Sequence, residues 1–80
     1  DISEWNVSNV TDMYCMFYKS KFNSDISEWD VSNVKDMEAM FKESNFTKDI
    51  SKWKINADCD TKNMFAYCNI NQNYIPTPAR

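Results

Sequence analysis

The apolar residues in the first part of the chain follow the period of a helix. Asn9 precedes the pattern and Asp12 follows three residues later, as in a helix-capping motif with a carboxylate near the positive end of the helix. The spacing places the apolar side chains on one stripe and predicts a short α-helix of about ten residues. The residues of this stripe are Val10, Met13, Met16 and Phe17.

A different pattern follows this predicted helix. Phe22, Ile26 and Trp29 form a compact apolar segment bounded by Asn and Ser residues, which is typical of a short strand. The stretch after Trp29 is polar and predicts a turn back into the next helix. Since the chain has no glycine, we expect Asn and Asp to occupy the turn positions with left-handed backbone.

The same pattern returns every 24 residues without a gap. The copies span residues 1–24, 25–48 and 49–72, and Trp5, Trp29 and Trp53 occupy one aligned position. A unit this short cannot bury its own apolar face, so the copies are expected to stack. The sequence therefore predicts an α/β fold, a leucine-rich-repeat-like solenoid with one short parallel strand and one short helix per coil. The tryptophans are expected to pack from coil to coil in its core.

The third copy departs from the pattern. Asp58 and Thr61 replace apolar residues of the stripe, which predicts a helix that starts later, is capped by Asp58 or Asp60, and packs only through Met64 and Phe65. Residues 73–80 contain two prolines, which cannot continue a helix or a ladder, and are predicted to form a C-terminal cap or tail. The first copy shows no capping element, so further repeats are expected upstream.

The repeated motif resembles that of a known family. The pattern F-N-x-D-I-S-x-W-D-V-S-N-V-x-D-M-x-x-M-F-x-x-S, which the second copy fits best, is similar to the BspA-like leucine-rich repeat surface proteins. These proteins carry long tandem arrays displayed on microbial cells. The resemblance covers residues 1 to about 72 and implies a cell-surface or extracellular location, with adhesion or other binding rather than catalysis. It fixes no binding residue by position.

The amino-acid composition excludes several classes of catalytic and binding site. The chain has 80 residues, no glycine, no histidine and a net charge of −3. The absence of glycine argues against a phosphate-binding glycine loop, and the absence of histidine argues against histidine-based catalysis and histidine-containing metal sites. The acidic net charge argues against binding to the phosphates of nucleic acid. Three cysteines at unrelated spacings predict neither a zinc site nor a disulfide scaffold. No apolar run is long enough to span a membrane. We therefore expect no enzyme activity, cofactor, bound metal or nucleic-acid partner.

One invariant polar column is a candidate site. Asp1, Asp25 and Asp49 align, each two residues before a serine. They are interpreted mainly as structural carboxylates that accept hydrogen bonds from the adjacent coil. The alternative is that they bind a cation or a polyhydroxyl ligand, which would allow a calcium-dependent repeat module.

Two further columns differ in residue type from copy to copy and are candidates for a surface that binds a partner. Tyr14, Glu38 and Lys62 form the first, on the helix surface, and Asn6, Asp30 and Lys54 form the second, at the turn. The plainer interpretation of both is a solvated surface.

These observations favour a non-catalytic repeat module of a surface-displayed protein that binds a protein or a glycan. A passive structural spacer or assembly element is the main alternative, and a calcium-dependent module is a weaker one.

Overall fold

Backbone hydrogen bonds join the three repeats one over another. The computed structural model describes residues 2–79. The Met13 N–H donates to the Asp36 carbonyl at 2.8 Å, and one repeat later the Met37 N–H donates to the Asp60 carbonyl at 2.8 Å. Isolated parallel bridges pair Asp12 with Asp36 and Asp36 with Asp60. The 24-residue period of the sequence is therefore the period at which the backbone pairs.

The predicted secondary structure is wrong. Within residues 2–79 the structure contains no α-helix and no strand longer than a single bridge. Its regular elements are three short 3₁₀-helices, Ile2–Glu4, Gln72–Tyr74 and Thr77–Ala79. A leucine-rich-repeat-like solenoid with one strand and one helix per coil is thereby excluded.

The segment predicted as a helix is a series of tight turns. The Met16 N–H donates to the Met13 carbonyl, three residues back, whereas the Phe17 N–H donates to Met40 of the next repeat. An α-helix would direct both N–H groups to carbonyls four residues back in the same segment. Because N–H groups alternate between bonds within a repeat and bonds to the next one, neither a helix nor a regular strand forms.

Left-handed residues produce these turns. They recur at two aligned columns, and only one of them is an asparagine. Each is the third residue of a four-residue turn, a position that commonly favours glycine. The expectation that Asn and Asp would occupy such positions is therefore wrong for most of them. The residues and their φ angles are Cys15 (53°), Lys19 (57°), Ala39 (56°), Glu43 (56°), Asn63 (57°) and Tyr67 (58°).

The predicted strand is also interrupted by a turn. The Trp29 N–H donates to the Ile26 carbonyl at 3.1 Å, and the Phe22 N–H donates to the Ser20 hydroxyl at 2.8 Å. Both N–H groups are used locally and cannot join a ladder. Ile26 and Trp29 are nonetheless buried, as the apolar pattern indicated.

The core is built from aligned side chains of successive repeats. The Phe41 ring lies 5.4 Å from Phe17 and 5.3 Å from Phe65, and both pairs are stacked. Trp29 and Trp53 stack at 6.4 Å, so coil-to-coil packing is confirmed for these two tryptophans. Trp5 is 55% exposed, so the expectation of a buried position for it is wrong.

The third repeat and the tail close one end of this core. Asp58 is exposed and no helix follows it, so the predicted late-starting helix is wrong, although Met64 is buried. In the tail, Ile75 and Pro76 are buried, and the Tyr74 carbonyl accepts the Ile50 N–H at 3.1 Å. The tail thus covers the part of the third repeat around Ile50.

The cysteines within residues 2–79 form no disulfide bond. Cys15, Cys59 and Cys68 are all free thiols. No helix in this part of the chain has the length and apolar character needed to cross a membrane.

Candidate binding surface

Two adjoining grooves lie along the segments that open the second and third repeats. The larger has a volume of about 370 Å³, and the smaller of about 170 Å³. Ser27 and Lys52 line both, so the two form one continuous surface, here called the repeat groove. The residues lining the larger part are Asp25, Ser27, Glu28, Lys48, Asp49 and Lys52. Those lining the smaller part are Ser27, Trp29, Asp30, Val31, Lys52, Trp53 and Lys54.

The invariant aspartates each hold a turn within their own repeat. Asp25 Oδ1 accepts the Ser27 N–H at 2.9 Å, and Asp49 Oδ1 accepts the Ser51 N–H at 2.9 Å. These backbone hydrogen bonds, followed by bonds from the serine hydroxyls, lower the pKa of both carboxyl groups. The sequence had suggested acceptance from the adjacent coil, and the structure shows donors two residues away instead. Asp1 lies outside the described residues.

In the first two repeats, the turn column has the same geometry and a different side-chain charge. Asp30 Oδ1 accepts the Ser32 hydroxyl at 2.6 Å and the Ser32 N–H at 3.0 Å. Asn6 makes the same pair of bonds to Ser8 at 2.7 and 3.0 Å. The serine hydroxyl, then the backbone N–H, lowers the pKa of Asp30. Lys54 occupies this position in the third repeat and is exposed.

The third candidate column lies apart from the repeat groove. Tyr14 and Lys62 are exposed and Glu38 is partly buried, and none of the three lines either part of the groove. A hydrogen bond with the Cys15 side chain, then electrostatic repulsion from Cys15 and from the Glu38 carboxylate, raise the pKa of Tyr14. The structure therefore brings Asp25 and Asp49 together with Asp30 and Lys54 on one surface, whereas Asn6 and this third column line neither part of the groove.

Glu38 belongs to a cluster of three carboxylates. One oxygen of Asp36, one of Glu38 and one of Asp60 lie within 4.8 Å of one another. Asp36 Oδ1 accepts the Glu38 N–H at 2.9 Å, and Asp60 Oδ1 accepts the Lys62 N–H at 3.0 Å, so two of the three carboxylates hold turns. With one oxygen from each carboxylate, the cluster supplies three of the six to eight oxygen ligands that calcium takes.

The charge of this cluster acts on a neighbouring thiol. Partial burial of Cys59, followed by the negative charges of Asp36 and Asp60, raises the pKa of its thiol. A raised pKa keeps the thiol protonated and weakly nucleophilic near neutral pH. This agrees with an inert cysteine rather than a reactive one.

Sequence reasoning missed several residues of these surfaces. Lys48, Lys52 and Glu28 line the repeat groove but were not singled out. Asp36 and Asp60 align with Asp12, but this column was interpreted as part of the predicted helix caps and not as an acidic cluster. The signal that could have found the lysines is their position beside the invariant aspartates.

Comparison with known proteins identifies a family but no individual relative. No curated protein matches the chain, and neither does any solved structure. A repeat family described as "Mycoplasma protein of unknown function, DUF285" matches residues 1–77, which is nearly the whole chain. The chain therefore belongs to the DUF285 family.

Proposed function

We propose that this chain is a non-catalytic repeat module of a surface-displayed protein and that it binds a protein or a glycan through the repeat groove. The similarity of its motif to that of the BspA-like surface proteins supports the surface location and the adhesive role. The sequence lacks histidine, the side chain that most often acts as a general acid or base, and this supports a non-catalytic role.

The observation that carries the proposal is the turn column. Asn6 and Asp30 hold identical turns through equivalent hydrogen bonds, so the backbone there tolerates a change in side-chain charge. Lys54 gives the same column a positive charge in the third repeat, where the turn lies one residue later, with the Cys59 N–H donating to the Asn56 carbonyl. Asn6 and Asp30 thus present different charges on the same backbone, which allows these two repeats to contact different groups on a partner.

The groove adds chemistry suited to polar ligands. Carboxylates of Asp25 and Asp49 lie with the ammonium groups of Lys48 and Lys52 around its larger part. Trp29 and Trp53 are almost fully buried and stack on each other, so they provide core packing rather than an open platform for a sugar ring. Recognition would therefore depend on hydrogen bonds and charge at an open surface.

The test is a direct binding measurement with the purified chain. The labelled chain is applied to a glycan array and to immobilised extracellular matrix proteins, and hits are quantified in solution. Asp30→Lys reverses a charge in the groove, and Asp58→Lys is the matched control because it makes the same change of charge at an exposed residue that lines neither part of the groove. We expect Asp30→Lys to weaken binding about two- to fivefold, as for an exposed charge pair, and Asp58→Lys to leave it unchanged.

The alternatives give different results in the same experiments. A chain without ligands in either assay would act as a passive spacer or assembly element. Equal loss of binding in both variants would indicate a nonspecific effect of net charge and would contradict the proposed groove. A calcium-dependent module would bind or melt differently with calcium than with a chelator, and equal melting curves would exclude it.

A further inference from the structure

The larger part of the repeat groove has a net negative charge. It is lined by the carboxylates of Asp25, Glu28 and Asp49 and by the ammonium groups of Lys48 and Lys52. At neutral pH all five side chains are ionised, so the carboxylates outnumber the ammonium groups.

The smaller part has the opposite balance. Lys52, which lines both parts, and Lys54 lie there with a single carboxylate, that of Asp30. The other side chains that line this part carry no charge. The sign of the net charge therefore reverses along one continuous groove, from negative in the larger part to positive in the smaller part.

The lysines of the groove are not engaged by carboxylates of the molecule itself. Lys48, Lys52 and Lys54 are exposed, and none of them forms an ion pair with another residue in the range 2–79. The Glu28 carboxylate is exposed as well and accepts no hydrogen bond from these residues. These charged groups are therefore accessible to groups of opposite charge on another molecule.

Two carboxylates of the larger part repel each other. Hydrogen bonds from Ser51 lower the pKa of Asp49, and the negative charge of Asp25 acts against this lowering. A cation that binds between the two carboxylates would relieve this repulsion. The larger part is thus suited to a positively charged group, whereas Lys52 and Lys54 suit the smaller part to a negatively charged one.

We propose that the repeat groove binds an extended segment of a partner protein, with a basic side chain in the larger part and an acidic side chain in the smaller part. This inference rests on the proposed function and narrows its ligand from a protein or a glycan to a protein segment. Alternate side chains of an extended segment lie on one side of it, about 7 Å apart, so a basic and an acidic residue two positions apart can reach adjoining parts of the groove.

The aromatic residues of the groove favour a protein segment over a glycan. Trp29 and Trp53 are only 5% and 4% exposed and stack on each other, so they offer little ring surface on which a sugar could pack. A peptide needs no such platform, because its charged side chains can supply the contacts.

The first test is a chemical-shift titration of the labelled chain with three capped serine peptides of equal length. One carries a lysine and a glutamate two positions apart, and the others carry two lysines or two glutamates at the same positions. The mixed-charge peptide should shift the amide signals of groove residues and bind about two- to fivefold more tightly than either of the others. Equal affinities for the three peptides, or shifts confined to other surfaces, would overturn the proposal.

Two substitutions change the sign of one part of the groove at a time. Glu28→Lys makes both parts positive, so the peptide with two glutamates should become the preferred ligand. Lys54→Glu makes both parts negative, so the peptide with two lysines should be preferred. The double variant reverses both signs and keeps the net charge, and it should again prefer the mixed-charge peptide, bound in the opposite direction. A spin label at one end of the peptide should then broaden signals at the opposite end of the groove.

The matched controls make the same changes of charge outside the groove. Glu43 and Lys21 are exposed and line neither part, so Glu43→Lys and Lys21→Glu should keep the preference for the mixed-charge peptide. Lysine is compatible with the left-handed backbone of Glu43, because Lys19 adopts it at the aligned position. Melting curves show whether each variant is folded. If the controls change the preference as the groove variants do, net charge alone determines binding and the proposal fails.

An oligosaccharide with alternating amino and carboxylate groups separates this inference from the proposed function. We expect it to bind more weakly than the mixed-charge peptide. If it binds in the groove as tightly or more tightly, the inference of a protein segment is wrong, although ligand binding by the groove stands. If the groove binds neither the peptides nor any glycan or matrix protein, the inference and the proposed function both fail.

Discussion

The first and second repeats share 15 of their 24 aligned residues but occupy different environments. Trp5 is 55% exposed whereas the aligned Trp29 is 5% exposed, and Met16 is 38% exposed whereas Met40 is fully buried. The second repeat has a neighbour on each side, and the first has a described neighbour on one side only. A residue's contribution to stability here depends on whether a repeat lies on both sides of it, and less on its identity in the motif.

The largest expected effect is at the centre of the aromatic stack. Phe41 is fully buried and its ring centroid lies 5.4 Å from Phe17, 4.4 Å from Phe46 and 5.3 Å from Phe65. Phe41→Ala removes contacts to all three repeats and should lower the free energy of unfolding by about 3–5 kcal/mol, measured by urea denaturation. Tyr14→Ala, at a 56% exposed position, should change it by less than about 0.5 kcal/mol. Similar losses in the two variants would contradict a core centred on the second repeat.

Substituting the same residue type in two repeats tests the comparison directly. Met40→Ala creates a cavity in a fully buried position and should cost about 2–5 kcal/mol of unfolding free energy. Met16→Ala changes the aligned but 38% exposed methionine and should cost less than about 1 kcal/mol. The two midpoints of thermal or urea unfolding give the difference. If both substitutions cost the same, Met16 is buried in solution and some contact absent from this structure covers the first repeat.

Substitution at the aligned positions with left-handed backbone should increase stability, in contrast to the core substitutions. Ala39 has a φ of 56°, a conformation that costs an L-residue about 1–2 kcal/mol and glycine almost nothing. Part of this gain is lost to the greater freedom of glycine in the unfolded chain, so Ala39→Gly should stabilise the protein by about 0.5–1 kcal/mol. Ala66→Gly, in a residue without positive φ, is the control and should destabilise it by about 0.4–1 kcal/mol. Destabilisation by both substitutions would contradict the turn geometry.

The sequence predicted which residues meet but not the backbone that brings them together. The period of 24 and the apolar columns follow from side-chain chemistry, and Met37, Met40 and Phe41 are buried as their pattern indicated. The same spacing of three, three and one residues fits both a helix and consecutive tight turns, since both return a side chain to one face after three residues. Hydrophobic periodicity alone could not separate them.

Helix and turn differ in which carbonyl accepts the hydrogen bond from each backbone N–H group. Cys15 adopts a left-handed backbone, and its N–H donates to Glu38 of the next repeat at 3.0 Å. No local rule assigns that conformation to a cysteine, because it is stabilised by a partner 23 residues away. The candidate site shows the same limit. The turn columns were visible as alignment columns, but the sequence did not show that Lys48 and Lys52 line one groove with Asp25 and Asp49, because that depends on how the second and third repeats stack.

The smallest expected effect concerns the acid dependence of one turn. Hydrogen bonds from Ser32 lower the pKa of Asp30 below its ordinary value of 3.8. The ionised carboxylate therefore contributes stability that is fully present above 3.8 and is lost as the pH falls through the lowered pKa of the folded state. Asp30→Asn keeps an acceptor for Ser32, as Asn6 already does for Ser8 in the first repeat, but cannot titrate.

We therefore expect Asp30→Asn to have nearly the same melting temperature as the unmodified chain at neutral pH. Below pH 3.8, the ordinary pKa of an aspartate, the variant should lose less stability than the unmodified chain. The measurement is the melting temperature from neutral pH down to strongly acidic conditions. Asp58→Asn is the matched control, because the Asp58 carboxylate is exposed and only its backbone N–H takes part in a turn, donating to Asn56. If the two variants follow the same acid profile, the Ser32 bonds do not favour the ionised form of Asp30, and the turn is held equally well by a neutral acid. In that case the charge of this column would have no consequence for stability, and either a solvated surface or contact with a partner would account for its variation between repeats.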